Sequence, residues 1–297
     1  MSTPNTIRLG CADFTWPLLP HRDALSLIHL LGFQGVDLGM FFERSHLRPE
    51  NVQEDTSYWA GLVRERLDQA QLEVADLYFA PSMDLATRGA NNPDLAEVEA
   101  GHEMFLSVLD FARRIQAPGI TMNSGMDYGD ESRSQSLSRS ASELARRVDA
   151  AGQYGIEIRV EGSVGSNTDS PESLGELMVS TPGLRVTLDY SHFVYQGRQE
   201  SEADCLIEYT GHFQCRGAAP GVMQARYEEN TIDFPRIIRG LQDSDYAGYF
   251  SLEYVWVDIW GCNQTENTME TVQFRDLAIA TLEGREYTPV VGPQYDI

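Results

Sequence analysis

Eight short apolar runs alternate with longer stretches whose apolar positions recur at helical spacing. The runs fall at residues 7–14, 35–40, 74–79, 119–124, 156–162, 184–191, 210–216 and 249–255. Between them lie patterns such as Tyr58, Leu62, Val63 and Leu67, then Phe105, Val108, Leu109, Ala112 and Ile115, then Leu144, Val148 and Ala151. Ile237, Ile238 and Leu241 mark a helix before the last run. Such alternation implies parallel strands joined by right-handed crossovers. Eight units in 297 residues suit an α/β fold of one (β/α)8 TIM barrel, for which ~250 residues is typical. One domain is expected over 1–297, with the barrel over about 7–283 and a short irregular extension over 284–297. A doubly wound open sheet is the competing fold. It usually carries a glycine-rich phosphate turn after the first strand, and residues 11–17 contain no G-x-G-x-x-G.

Strand periodicity is two, so alternate residues face opposite sides. In the fifth run Ile156, Ile158 and Val160 share one face, and Glu157, Arg159 and Glu161 the other. The sixth sets Val186 and Leu188 against Arg185, Thr187 and Asp189; the eighth sets Phe250 and Leu252 against Tyr249, Ser251 and Glu253. The aliphatic face suits a helical shell and the polar face a barrel interior. Each polar row ends in a carboxylate at the strand's C-terminal end, where barrel active sites are built.

The seventh run is weaker and its parity is open, but it places His212 centrally. Glu161, Asp189, His212 and Glu253 are then expected to converge from four successive strands. Three oxygen ligands and one imidazole suit one divalent cation, Mn2+ first, with Mg2+, Co2+ or Zn2+ as alternatives. The plainer reading pairs these acids with Arg159 and Arg185. Four such groups crowded together without a cation would cost several kcal/mol.

Charge narrows the functions further. Forty-five acidic residues against 22 basic ones give a net charge of −23. That repels phosphate backbones and anionic membrane surfaces, so no nucleic-acid or membrane partner is expected. All 22 basic residues are arginine. Without lysine, Schiff-base aldolases, pyridoxal enzymes and Walker-type nucleotide sites are excluded. The four cysteines show no C-x-x-C spacing, and no apolar run approaches 18 residues. A cytoplasmic protein with reduced thiols is the expectation.

Several motifs now align with a known group. They are Val160-Glu161, Asp189-x-x-His192, His212 followed by Arg216-Gly-Ala-Ala-Pro-Gly221, Thr231-Ile-Asp-Phe234 and Tyr246-Ala-Gly-Tyr-Phe-Ser-Leu-Glu253. In this order and spacing the chain resembles the sugar isomerase/epimerase superfamily with a xylose isomerase-like barrel. The resemblance is nearest to its ketose 3-epimerase, inosose dehydratase and C-glycoside deglycosidase α-subunit branches. It implies that Glu161, Asp189, His212 and Glu253 bind the cation and that Glu161 and Glu253 double as the acid–base pair. It also implies that His192 and Arg216 hold substrate hydroxyls. The chain departs from many members in reading His212-Phe-Gln-Cys215 on strand seven and in ending strand two with Met40.

Trp16, Phe14, Tyr78 and Asn123 lie at early strand ends, where they line the pocket or pack in the core; Trp256 and Trp260 offer an aromatic wall. The leading expectation is a metal-dependent isomerase or epimerase acting through an enediolate on a free ketose or keto-polyol. The alternative is a metal-dependent lyase on a 3-keto sugar. A homo-oligomer is expected, or a hetero-oligomer with a small β subunit if the chain is a deglycosidase.

Overall fold

A computed structural model describes residues 7–41 and 44–289. Residues 290–297 of the expected C-terminal extension lie outside the described residues. Eight parallel strands close into a barrel in sequence order. They are β1 (Arg8–Ala12), β2 (Gly35–Met40), β3 (Glu73–Phe79), β4 (Gly119–Met122), β5 (Glu157–Glu161), β6 (Arg185–Asp189), β7 (Thr210–Cys215) and β8 (Tyr249–Leu252). β1 pairs with both β2 and β8, which closes the ring. The expected TIM barrel is therefore the fold. No helix among the described residues is long and apolar enough to cross a membrane.

Outward positions of the strands meet the helical shell and form the core. Val36, Leu38, Leu77, Ile120, Ile158, Val160, Val186, Leu188, Phe213, Phe250 and Leu252 are all buried there. The long helices Leu95–Ile115 and Arg133–Gly152 turn apolar faces onto this layer. Each starts on a side-chain cap, Asp94 for the first and a Ser132–Gln135 capping box for the second, which satisfies N–H groups the helix cannot.

Barrel interiors are commonly filled with branched aliphatics; this one is polar and paired. His212 Nε2 lies 2.8 Å from Asp37 Oδ2, and Ser251 Oγ donates to Asp37 Oδ1 at 2.8 Å. Arg159 donates to Asp76 at 2.8 Å, and Thr121 meets Thr187 at 2.5 Å. A Cβ on Gly10 would fall 2.3 Å from Ser251 Oγ, so glycine makes room for this layer. Arg159 therefore serves Asp76 and Glu157 rather than the strand-end acids.

β6 ends sooner than its apolar run suggested. Tyr190 and Ser191 already belong to the helix Tyr190–Tyr195, because Asp189 caps it by accepting from Ser191 N.

Candidate active site

Three of the four expected ligands come together at the C-terminal end of the barrel. Glu161 ends β5, Asp189 ends β6, and Glu253 follows β8, its N–H continuing the ladder to Cys215 O at 2.9 Å. All three are buried. Glu161 Oε2 accepts from the Tyr78 hydroxyl at 2.8 Å. Asp189 accepts from Ser191 N and from Ser191 Oγ, each at 2.8 Å.

His212 does not join them, and that expectation is corrected. It pairs in register with Thr187, one layer below Asp189, and its ring is spent on Asp37. The residue level with Asp189 is Gln214, which also pairs with Ser251 of β8. Gln214 is fully buried, and neither its Oε1 nor its Nε2 has a hydrogen-bond partner among the described residues. Sequence reasoning missed it. The signal was present, since residues two apart on a strand share a face, but parity alone does not say which of the two stands at the rim.

His192 enters from the helix Tyr190–Tyr195, one turn after Asp189. Its Nε2 lies 3.6 Å from Glu161 Oε1 and 3.7 Å from Asp189 Oδ2. The three side chains offer ligand atoms within 4.8 Å of one another. The Val164 N–H points at His192 Nδ1 at 3.3 Å. His192 Nε2 meets Arg216 Nη2 at 3.3 Å, so each ring nitrogen faces a donor.

Arg216 follows β7 and lies among the acids. Its Nη2 donates to Asp189 Oδ2 at 2.8 Å and to Ser191 Oγ at 3.0 Å, and stands 3.6 Å from Glu253 Oε2. The acids hold the guanidinium charged against the cost of burial. Burial raises the Glu161 carboxyl, but His192, Tyr78 and Arg216 outweigh it and hold it below the usual carboxylate range. Glu253 goes the other way: burial, with Glu161 and Asp189 nearby, pushes it well above that range despite Arg216. Its Oε2 has no hydrogen-bond partner among the described residues.

These residues fit a divalent cation. With all three carboxyl groups ionised, two buried negative charges would lack a partner beside the one guanidinium, and two neighbouring groups carry orphaned oxygens. Buried charge of this kind is held by pairing or by a metal.

Above the acids opens a cavity of about 320 Å³. Glu161, Glu253, His192 and Arg216 line its inner part, with Tyr78, Asn123 and Ser163. Asn123 Nδ2 donates to Tyr78 Oη and to Ser163 Oγ, both at 3.1 Å. The outer wall is apolar, built from Phe14, Phe41, Met83, Val257, Ile259 and Trp260. Trp16 is not part of the lining: its Nε1 donates to Thr268 Oγ1 at 3.1 Å while the ring packs against the core. Trp260 edges onto His192, with ring centroids 6.1 Å apart. Trp256 instead lies under the Arg44 guanidinium. Met40 faces the outer core and Asp37 the polar layer, so β2 sends no carboxylate to the rim.

A family model described as xylose isomerase-like TIM barrel matches residues 25–276. No curated protein matches the chain. Among solved structures, the D-psicose 3-epimerase from Clostridium cellulolyticum H10 superposes with a TM-score of 0.73 at 14% identity, over 93% of this chain and 99% of its own. The probable 3-DHS dehydratase of petrobactin synthesis from Bacillus anthracis gives 0.67 at 15% identity, over 91% and 98%. A xylose isomerase-like TIM barrel protein from Mycobacterium smegmatis, in complex with magnesium, gives 0.67 at 14% identity, over 96% and 99%. Likeness at this identity is likeness of fold.

Proposed function

Because the chain belongs to the xylose isomerase-like TIM barrel family, we propose that it is a divalent-cation-dependent sugar isomerase or epimerase. It acts through an enediolate on a free ketose or keto-polyol. One observation carries this reading. Of the three clustered carboxylates, Glu161 and Glu253 open onto the cavity, while Asp189 lies behind Arg216. A ketose seated there meets two acid–base groups and a buried surplus of negative charge.

Glu161, Asp189 and Glu253 would hold the cation, Mn2+ first, with Mg2+, Co2+ or Zn2+ as alternatives. Bound there, a divalent cation withdraws charge from the substrate's carbonyl oxygen. One glutamate takes the proton from the carbon beside the ketone. The C–H electron pair becomes a carbon–carbon double bond, and the carbonyl π pair moves onto oxygen. The other glutamate, as an acid, returns a proton to the opposite side of the same carbon, which gives the epimer. Return to the neighbouring carbon gives the isomer. His192 and Arg216 hold substrate hydroxyls, and the Tyr78–Asn123–Ser163 chain offers further polar contacts.

A second reading is elimination from a 3-keto sugar, and the apolar outer wall favours it. A wall of Phe14, Phe41, Ile259 and Trp260 leaves distal hydroxyls unpaired but suits an apolar substituent that departs after the same proton abstraction. In the deglycosidase case a small β subunit would complete the enzyme.

Proton NMR in D2O tests both, with Mn2+ and with a chelated control, over ketohexoses, an inosose and 3-keto glycosides. Metal-dependent loss of one carbon-bound proton signal is expected. A product of unchanged mass means epimerisation or isomerisation; released water or aglycone means elimination. Exchange on none of them, in a preparation shown to bind Mn2+, overturns the proposal.

A further inference from the structure

One cation of the cavity is left unanswered by the protein. Two arginines line it, Arg216 at its inner end and Arg44 in the outer wall. Arg216 is engaged by Asp189, Ser191 and Glu253. Arg44 stands half-buried in the loop after β2 and makes no hydrogen bond or ion pair with the described residues. Its guanidinium lies over the Trp256 ring, with Cζ 5.1 Å from the centroid. A ring face steadies the charge without using its N–H donors. Acids are not scarce in a chain with 45 of them for 22 arginines. Yet the carboxylates of the lining, Glu161 and Glu253, do not pair with Arg44, and the wall around it is apolar.

We infer that Arg44 determines specificity by binding a carboxylate at the end of the substrate remote from the ketone, so that the ketose is a keto sugar acid. This rests on the reading proposed above and narrows its substrate class. The charges of the cavity support it. With the three inner carboxyls ionised, Arg216 and a divalent cation together neutralise them, and the Arg44 charge remains uncompensated. One carboxylate on the substrate completes the balance. The planar guanidinium presents parallel N–H groups that match the two oxygens of a carboxylate. A phosphate ester would bring a charge of about −1.5 to −2, for which this wall has a single guanidinium.

The test compares matched ligands: a ketohexose, the ketohexuronate in which its C6 hydroxymethyl is a carboxylate, and the ketohexose 6-phosphate. Binding to wild type and Arg44→Leu is read by calorimetry with Mn2+ present, and kcat/KM by proton exchange in D2O. Wild type is expected to bind the uronate about tenfold or more tighter than the neutral ketose. Arg44→Leu should shrink that ratio about tenfold or more, in binding and in kcat/KM alike. Added salt should narrow the wild-type ratio, because the outer wall is open to solvent. Equal affinity of wild type for uronate and neutral ketose overturns the inference, as does a ratio that Arg44→Leu leaves unchanged. Preference for the phosphate over the uronate overturns the carboxylate assignment. In each of these cases exchange on the neutral ketose leaves the proposed function standing. If Mn2+ binds but none of the three ligands binds or exchanges, that function falls and this inference with it. Should Arg44→Leu fail to fold, the same ratio is read in Arg44→Gln, which keeps a polar stem without the charge.

Discussion

Arg216 donates to Asp189 at 2.8 Å, so this carboxylate cluster carries its own cation. The guanidinium also bonds Ser191 and leans towards Glu253. It thereby neutralises one acid of three and leaves the other two facing the cavity.

Removing that charge should be costly, and the cost should depend on metal. Arg216→Leu leaves Asp189 buried with only Ser191 as partner. Breaking a buried pair on one side typically costs about 3–5 kcal/mol. Urea unfolding in chelator should show a loss of that size, and saturating Mn2+ should return part of it, since a cation binding only the folded state stabilises it. Equal stability of variant and wild type in chelator would mean that Asp189 draws its compensation elsewhere.

The acid–base roles of Glu161 and Glu253 predict a second outcome. Glu253→Gln and Glu161→Gln keep size and hydrogen-bonding shape but abolish proton transfer. Each should slow solvent exchange of the substrate proton by about 100-fold or more. The NMR assay in D2O at saturating substrate and Mn2+ checks it. Full turnover in either variant removes that glutamate from the mechanism.

Parity read the acids of β5, β6 and β8 correctly because each run alternates cleanly between aliphatic and polar residues. Two things lay beyond it. Level within the barrel depends on how strands are staggered, and the register shift between Val186 and Thr187 sets His212 beside Thr187 and Gln214 beside Asp189. Long-range pairing is the other: Asp37 and His212 are 175 residues apart in the chain, and no local pattern joins them. Strand ends failed for a related reason. Residues 190 and 191 continue the apolar run, yet the Asp189 side chain caps a helix there and ends the strand. Trp16 misled because a rim aromatic can turn to either side, and Thr268 takes its indole N–H.

The His212 ring is buried against Asp37, which also accepts from Ser251. His212→Leu should destabilise the fold by about 3–5 kcal/mol, again because one partner of a buried pair is removed. Mn2+ affinity, measured by calorimetry on the folded variant, should stay within about threefold of wild type. A collapse of Mn2+ binding with little change in stability would return His212 to the ligand set.

Trp260 separates the two functional readings. It is 44% exposed, lines the outer cavity, and holds a left-handed backbone at φ 53° that a large residue adopts only when its surroundings insist. Its ring meets those of His192 and Tyr195 edgewise or tilted, which leaves much of its surface turned to the cavity. An aromatic contact with a substrate contributes about 0.5–1.5 kcal/mol beyond burial, which at its upper end is close to a tenfold effect. Trp260→Gly removes the ring and relieves the backbone. If an apolar substituent sits on this wall, the variant should lose about tenfold in kcat/KM on a 3-keto aryl glycoside while a free ketose changes less than about twofold. Equal losses on both substrates would instead assign Trp260 to holding His192, and the elimination reading would lose its structural support.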